Sequence, residues 1–214
     1  MGKANQGIFG GWTKKVGNVV GRIVQGQNVY SIYQPNVSNP RTLEQQQNRA
    51  KFTLLSRFMS VMLPAVRLGF RNLDGYTHGS AYSAALGYNS KLNIVGGAYP
   101  NYEIVVNKAI ISEGSVALPY DPSGNAVDGE YTASWADNSG QGDAEASDIA
   151  VVVLYNQTNP ACVVSELTNK RSDRMAKVTI PTSWSGNTGN AYLFMMRERN
   201  RTNSMSKHLG TLTF

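Results

Sequence analysis

Two histidines, one cysteine and fourteen carboxylates are the side chains from which any acid–base, nucleophilic or metal chemistry would have to be built. His78, in "DGYTHGS", and His208, in "SKHLGTL", are far apart in the chain, and neither has a carboxylate pattern or a second ligand at metal spacing. His78 lies in a loop and reads as a surface histidine. Cys162 stands alone, which excludes an internal disulfide and leaves the structural-zinc patterns without ligands. Its setting, "PACVVSEL", is an apolar strand-like run in which a thiol is buried and inert.

Two loops imitate binding motifs without completing them. "GIFGGWTKK" has the glycines of a phosphate loop but not its Gly-Lys-Ser/Thr ending, and no strand precedes it. "DNSGQGDAEASD", starting at Asp137, is acidic and glycine-rich. A calcium loop wants carboxylate or amide ligands at its third and fifth positions and Glu at its twelfth; here Ser139, Gln141 and Asp148 fall there. No Gly-x-Ser-x-Gly elbow occurs, and no acid pair is assignable to one pocket. The expectation is a protein that is not an enzyme, with no cofactor, no metal and no small-molecule substrate.

Charge points to macromolecular partners instead. Residues 1–78 carry ten Lys/Arg against Glu44 and Asp74, residues 79–169 carry Lys91 and Lys108 against ten acids, and residues 170–214 carry eight basic against two acidic side chains. Positive and negative surfaces on one chain suit contact between copies of it, as well as contact with nucleic acid. Phe9, Trp12, Tyr30 and Tyr33 lie among the N-terminal basic residues, a stacking-plus-charge composition. No helix-turn-helix, zinc-finger or ribonucleoprotein motif accompanies them. No segment approaches the roughly 20 apolar residues of a membrane helix, and the N-terminus lacks the apolar core of a secretory signal. A cytoplasmic site of synthesis and no membrane contact are therefore expected.

The elements behind these residues read as mainly β with helices, an α+β chain. Residues 1–11 form a glycine-rich arm. Residues 14–24 and 28–34 are β-branched and aromatic runs on either side of a "QGQN" turn, a hairpin. Gly17 and Gly21 in its first strand mark bulges or close backbone approach. A long helix begins near residue 40, capped by Asn39 with Pro40 at its first position, or by Thr42 with Gln45 completing a capping box. Ala50, Leu54, Leu55, Phe58, Met59, Met62, Leu63, Val66 and Phe70 form one apolar stripe, and Pro64 kinks or ends the helix. Its first turns, 44–51, lack that stripe and project beyond the core. Residues 79–97 hold a second, shorter helix. Eight short runs follow, at 102–106, 109–118, 129–136, 148–155, 161–167, 175–180, 191–197 and 208–214, separated by turn signals that include "YDPSGN" at 120–125. They indicate an Ig-like antiparallel β-sandwich, with "DIAVVVLYN" as a central strand. Two domains follow from this: a docking element over 1–98, made of arm, hairpin and helices, and a sandwich over 99–214.

Three segments, "GGWTKKVGNVVGR", "NPRTLEQQQNRAKF" and "YPNYEIVVNKAIISEGSV", with "DIAVVVLYN" as a weaker fourth, resemble a family of uncharacterised proteins of about this length from gut bacteria and their tailed phages. The Asn-Pro-Arg-Thr…Gln-Gln block is the most specific of them. The resemblance implies a domain of unknown function with no activity to transfer, in a setting that is sometimes phage-encoded. The expectation drawn from all of this is a structural protein of a tailed-phage virion, at a ring, collar, tail or capsid surface. It would oligomerise through its N-terminal region and contact copies of itself and other virion proteins. Trp12, Val16, Val20, Gln46, Arg49 and Arg57 are the expected interface residues. The alternatives are a basic nucleic-acid-associated protein and a bacterial Ig-like binding module.

Overall fold

A computed structural model describes residues 3–4, 11–24, 26–36, 38–71, 80–90, 94–96, 99–199 and 202–214. The chain forms two compact units, Met1–Thr42 and Leu43–Phe214. His78, Phe9 and most of the glycine-rich arm lie outside the described residues.

The first unit is a four-stranded antiparallel sheet in chain order: β1 (Lys3–Ala4), β2 (Trp12–Val16), β3 (Val19–Val24) and β4 (Gln27–Ile32). The run expected as one strand over 14–24 is two strands. It folds back at Gly17–Asn18, where Val16 pairs with Val19 and Gly17 takes φ 59° at the first central position of a two-residue loop. Hairpin turns that match strand twist need such a positive φ, which glycine adopts without cost. Gly21 serves the purpose the sequence suggests, because a Cβ there would run into the backbone carbonyl of Trp12.

The second unit opens with α1 (Leu43–Val61), α2 (Leu63–Gly69) and α3 (Ala81–Ser90). This start places Thr42 at the N-cap and Gln45 at N3 of α1. Pro64 falls in the first turn of α2, so the long helix ends at Val61 and restarts at Leu63. A two-stranded pair, β5 (Ile94–Val95) and β6 (Glu103–Ile104), comes next. The sandwich strands are β7 (Tyr120–Val127), β8 (Glu130–Ala136), β9 (Ile149–Asn156), β10 (Ala161–Val164), β11 (Met175–Thr179), β12 (Thr188–Arg197), β13 (Thr202–Asn203) and β14 (Lys207–Thr213). One sheet runs β10-β9-β12, with β13 and β14 both on the far side of β12; the other runs β11-β8-β7, and every pairing is antiparallel.

Alternation along β9 and β12 feeds two cores. Ala150, Val152, Leu154, Ala191, Leu193 and Met195 meet Tyr131, Ala133, Trp135, Ala176 and Val178 of the smaller sheet. Val151, Val153, Tyr155, Tyr192, Phe194 and Met196 face the other way, against Leu55, Phe58, Met59, Met62, Ala65, Val66 and Phe70. Each of these large side chains stabilises the fold by roughly 1.5–3 kcal/mol through burial. The body is therefore three layers, with helices stacked on a two-sheet sandwich.

Three expectations change here. The helices grouped with the N-terminal arm cover the body's own large sheet, and the boundary between units falls at Thr42/Leu43 rather than at 98/99. The reason is that β9 and β12 are apolar on both faces and each face needs a cover. The "YDPSGN" turn signal is overridden: it forms β7, an edge strand where Pro122 needs no ladder bond and where Gly124 leaves room for the Tyr131 phenol. The 109–118 run forms no strand and bends at residues 114–116. Side chains and backbone together hold it: Ile110 N–H donates to Asn89 Oδ1 at 2.8 Å, Ser112 Oγ to the Ser204 carbonyl at 2.7 Å, and Val116 N–H to the Asn203 carbonyl at 3.0 Å.

Candidate interaction surface

The N-terminal sheet has two unlike faces. Its register sets Val16 opposite Val19, Val19 opposite Ile32, and Gly21 opposite Tyr30, so Val16, Val19, Ile23, Tyr30 and Ile32 share one side, with Lys14 opposite Gly21 and Asn28 opposite Ile23 among them. Trp12 joins them by stacking on Tyr30 across Gly21, with ring centroids 4.3 Å apart. This side is uncovered: Val16 is 49% exposed, Ile23 53%, Tyr30 43% and Ile32 81%. Gly21 is the sole buried residue among the described residues of 11–42. A sheet in water needs one apolar face packed to be stable, and among the described residues of the unit this side is covered only where the Trp12 backbone lies over Gly21. The opposite side carries Lys15, Val20, Arg22 and Val24, and Lys15 Nζ sits 3.4 Å from the centroid of the Tyr33 ring. Residues 1–42 contain five Lys/Arg (Lys3, Lys14, Lys15, Arg22, Arg41) and no Asp or Glu.

Of the residues expected at an interface, Trp12, Val16 and Val20 lie in this sheet. Trp12 and Val16 belong to the apolar side and Val20 to the basic one. Gln46 and Arg49 lie in the first turns of α1, half-buried and exposed respectively, and each already has a partner in the chain. Arg57 is exposed on α1 and lines a groove of ≈ 530 Å³ together with Leu54, Phe58, Val61, Tyr102 and Ile104. The structure thus divides the six between two units. Ile23 and Ile32, the most exposed apolar residues of the sheet, were not singled out by sequence, where Val24 and Tyr33 beside them blur any alternation.

The acidic loop that imitates a calcium site is occupied by arginines. Asp148 is fully buried and accepts from Arg171 Nη2 at 2.9 Å, from Arg197 Nε at 2.9 Å and from the Glu145 N–H at 3.0 Å. Arg171, also fully buried, donates from Nη1 to Asn138 Oδ1 at 2.6 Å and from Nη2 to the Ala117 carbonyl at 2.7 Å. Arg197 reaches Asp143 at 2.8 Å, and its hydrogen bonds to Asp148 hold its guanidinium still more firmly in the charged form. Two arginines and three carboxylates, Asp143, Glu145 and Asp148, therefore pin residues 138–148 to the sandwich. Among the described residues, no group of three His, Cys, Asp or Glu is placed to hold a metal ion.

His208 is half-buried, and its Nε2 meets Asn190 Oδ1 at 2.9 Å. Thr211 Oγ1 donates to the same oxygen at 3.1 Å, so His208 carries its proton on Nε2. Desolvation first, then the Lys207 charge, lowers its pKa. Cys162 is half-buried on β10, and burial pushes its thiol up to about 12. No nucleophile–base pair forms around either group among these contacts.

The described residues thus present a partly exposed apolar side on the N-terminal sheet. The model of DUF6266, a family of unknown function, matches residues 10–210. The chain belongs to the DUF6266 family. The match takes in both units, the N-terminal sheet from Gly11 onward and nearly all of the body. No curated protein matches this DUF6266 chain. Among the described residues no helix is long and apolar enough to cross a membrane.

Proposed function

We propose that this DUF6266 protein is a non-enzymatic structural protein that docks against another polypeptide through its N-terminal sheet. Its setting in this reading is the particle of a tailed phage, at a ring, collar, tail or capsid surface, where copies of the chain and other particle proteins are its partners. One observation carries the docking: an apolar sheet side whose Val16, Ile23, Tyr30 and Ile32 stay 43–81% exposed beside Trp12, covered among the described residues of its unit only over Gly21. Covering such a side is what stabilises a small sheet, and a partner's apolar surface supplies the cover. The phage setting is supported by the resemblance of the Asn-Pro-Arg-Thr…Gln-Gln block to phage-encoded proteins.

The test uses the full chain. Ile23→Asp places a charge on the apolar side, and light scattering and co-purification with particle proteins should both report lost association. The melting of the body should stay within about 0.5 kcal/mol of wild type, as for a surface substitution. Association unchanged by Ile23→Asp refutes docking through this side. Mass spectrometry of purified phage particles that finds no trace of the chain refutes the setting.

The charge of residues 1–42 supports one other reading, a nucleic-acid-associated protein in which Lys14, Lys15 and Arg22 neutralise phosphates. Binding to random-sequence DNA at low salt, weakened by Lys15→Ala and Arg22→Ala and lost as salt rises, would favour it over docking.

A further inference from the structure

Among the described strands longer than two residues, the open edge of the N-terminal sheet differs from the other open edges. Proteins blunt exposed edges with short strands, charged side chains, proline, bulges or a covering element, because an unpaired row of N–H and C=O groups recruits other strands. Here β1 is two residues long and includes Lys3. β7 contains Pro122 and a register shift between Tyr120 and Ser123. β10 has four residues and lies beside α2. β11 carries Lys177, and β14 carries Lys207 and pairs with β12 through a register shift at Ala191/Tyr192. β4 has none of these devices. "QNVYSI" and the following Tyr33 and Gln34 contain no charge, no glycine and no proline, and five of the six residues of β4 are exposed.

The hydrogen-bond phase shows which groups face outward. Tyr33 N–H donates to the Asn18 carbonyl at 2.7 Å, and Ile32 is in register with Val19. In an antiparallel ladder, bonded and non-bonded pairs alternate, so Ser31, Val29 and Gln27 spend their backbone groups on β3. Asn28, Tyr30 and Ile32 then direct theirs to the open side of β4, the last strand of its sheet among the described residues.

We propose that β4 pairs antiparallel with β4 of a second copy, about a two-fold axis at Tyr30. This rests on the reading that the N-terminal sheet is the docking element and names its first partner. In this register Tyr30 faces Tyr30 of the second copy, and Asn28 faces Ile32. All three outward residues of each strand donate and accept a ladder bond. Because β4 is uncharged, the two-fold sets no like charges opposite each other, a condition that β11 and β14 fail. The blunted edges of the body offer β4 no alternative strand on the same chain, so pairing between copies is isologous and closes at a dimer. The apolar sides of the two sheets become one continuous side, which remains available to a further particle protein.

Cross-linking and dissociation measurements on the full chain test this. Opposed residues of a bonded antiparallel pair have Cα atoms about 5.5 Å apart, within disulfide range, so Tyr30→Cys should form a covalent dimer on mild oxidation. Val29→Cys, which faces Ser31 of the second copy instead of itself, should not; nor should the wild type, whose only cysteine is Cys162. Ile32→Pro removes an outward donor and leaves the β3 ladder intact; it should weaken the dimer measured by sedimentation at least ~10-fold. Ile32→Lys, which keeps the backbone donor but charges the edge, should do the same, and it decides the matter if the proline variant disturbs the sheet. A monomeric wild type, no cross-link through Tyr30→Cys, or a dimer equally tight in both Ile32 variants overturns edge pairing. If Ile23→Asp nevertheless abolishes co-purification with particle proteins, docking through the apolar side stands without the dimer; if it does not, both readings fall.

Discussion

Asp148→Asn is the sharpest test of how the body is held together. The substitution keeps the side-chain shape, so it opens no cavity; it removes one negative charge and turns one acceptor oxygen into a donor. Wild-type Asp148 serves Arg171 at 2.9 Å and Arg197 at 2.9 Å, and its side chain has no exposed surface. Among the described residues Arg171 pairs with no other carboxylate and keeps only the neutral Asn138 and Ala117 oxygens, so its charge is left buried without a counter-charge. Arg197 keeps Asp143 at 2.8 Å and Glu145 at 3.4 Å, whose side chains are 56% and 40% exposed and therefore weaker counter-charges. Breaking a buried pair on one side costs about 3–5 kcal/mol, against a total stability of roughly 5–15 kcal/mol for a domain. At about 2–4 °C per kcal/mol for a domain of this size, the melting temperature should fall by about 6–20 °C. Thermal and urea unfolding followed by circular dichroism would measure it. The exposed pair Lys177–Glu130, at 2.8 Å with side chains 56% and 47% exposed, is the control, and Lys177→Ala should cost under about 1 kcal/mol. If Asp148→Asn and Lys177→Ala destabilise equally, the buried cluster is not what secures the 138–148 loop, and the reasoning fails.

Two further outcomes concern the body. His208 has a folded pKa below its ordinary 6.5, so its neutral form is the one favoured by folding. The stability it contributes is complete above pH 6.5 and is lost as pH falls from there through the lowered folded pKa. His208→Gln, able to keep a donor towards Asn190, should flatten that part of the stability–pH curve measured by urea titration; an unchanged slope refutes the assignment. Gly69→Ala would drive a methyl into the Ile111 carbonyl and the backbone of Ser112, where α2 meets the extended segment, and should cost about 1–3 kcal/mol of unfolding free energy in the same assay. A variant as stable as wild type would show that this segment yields freely.

How much was legible depends on whether the deciding interaction is local. The capped start near Thr42, the apolar stripe from Leu55 to Phe70, the break at Pro64 and the central place of "DIAVVVLYN" all follow from spacing within a few turns, and the structure has them. The fold at Gly17–Asn18 was missed because a strand interrupted by glycine and a tight hairpin look alike until pairing is known. "YDPSGN" was missed for the converse reason: its turn residues are tolerated on an edge strand that β8 pairs on one side only.

The amino-acid sequence on its own determined a mainly β chain with helices, a basic acid-free N-terminal stretch, and an inventory too sparse for the familiar catalytic motifs. Those properties reside in composition and short-range periodicity, which survive without coordinates. Tertiary structure decided three things: that the helices belong to the body, that Asp148 holds two arginines rather than a metal, and that Ile23, Tyr30 and Ile32 share one bare side of a separate sheet. Each rests on residues tens of positions apart being brought together, and burial free energy acts on proximity in space, where sequence separation has no weight.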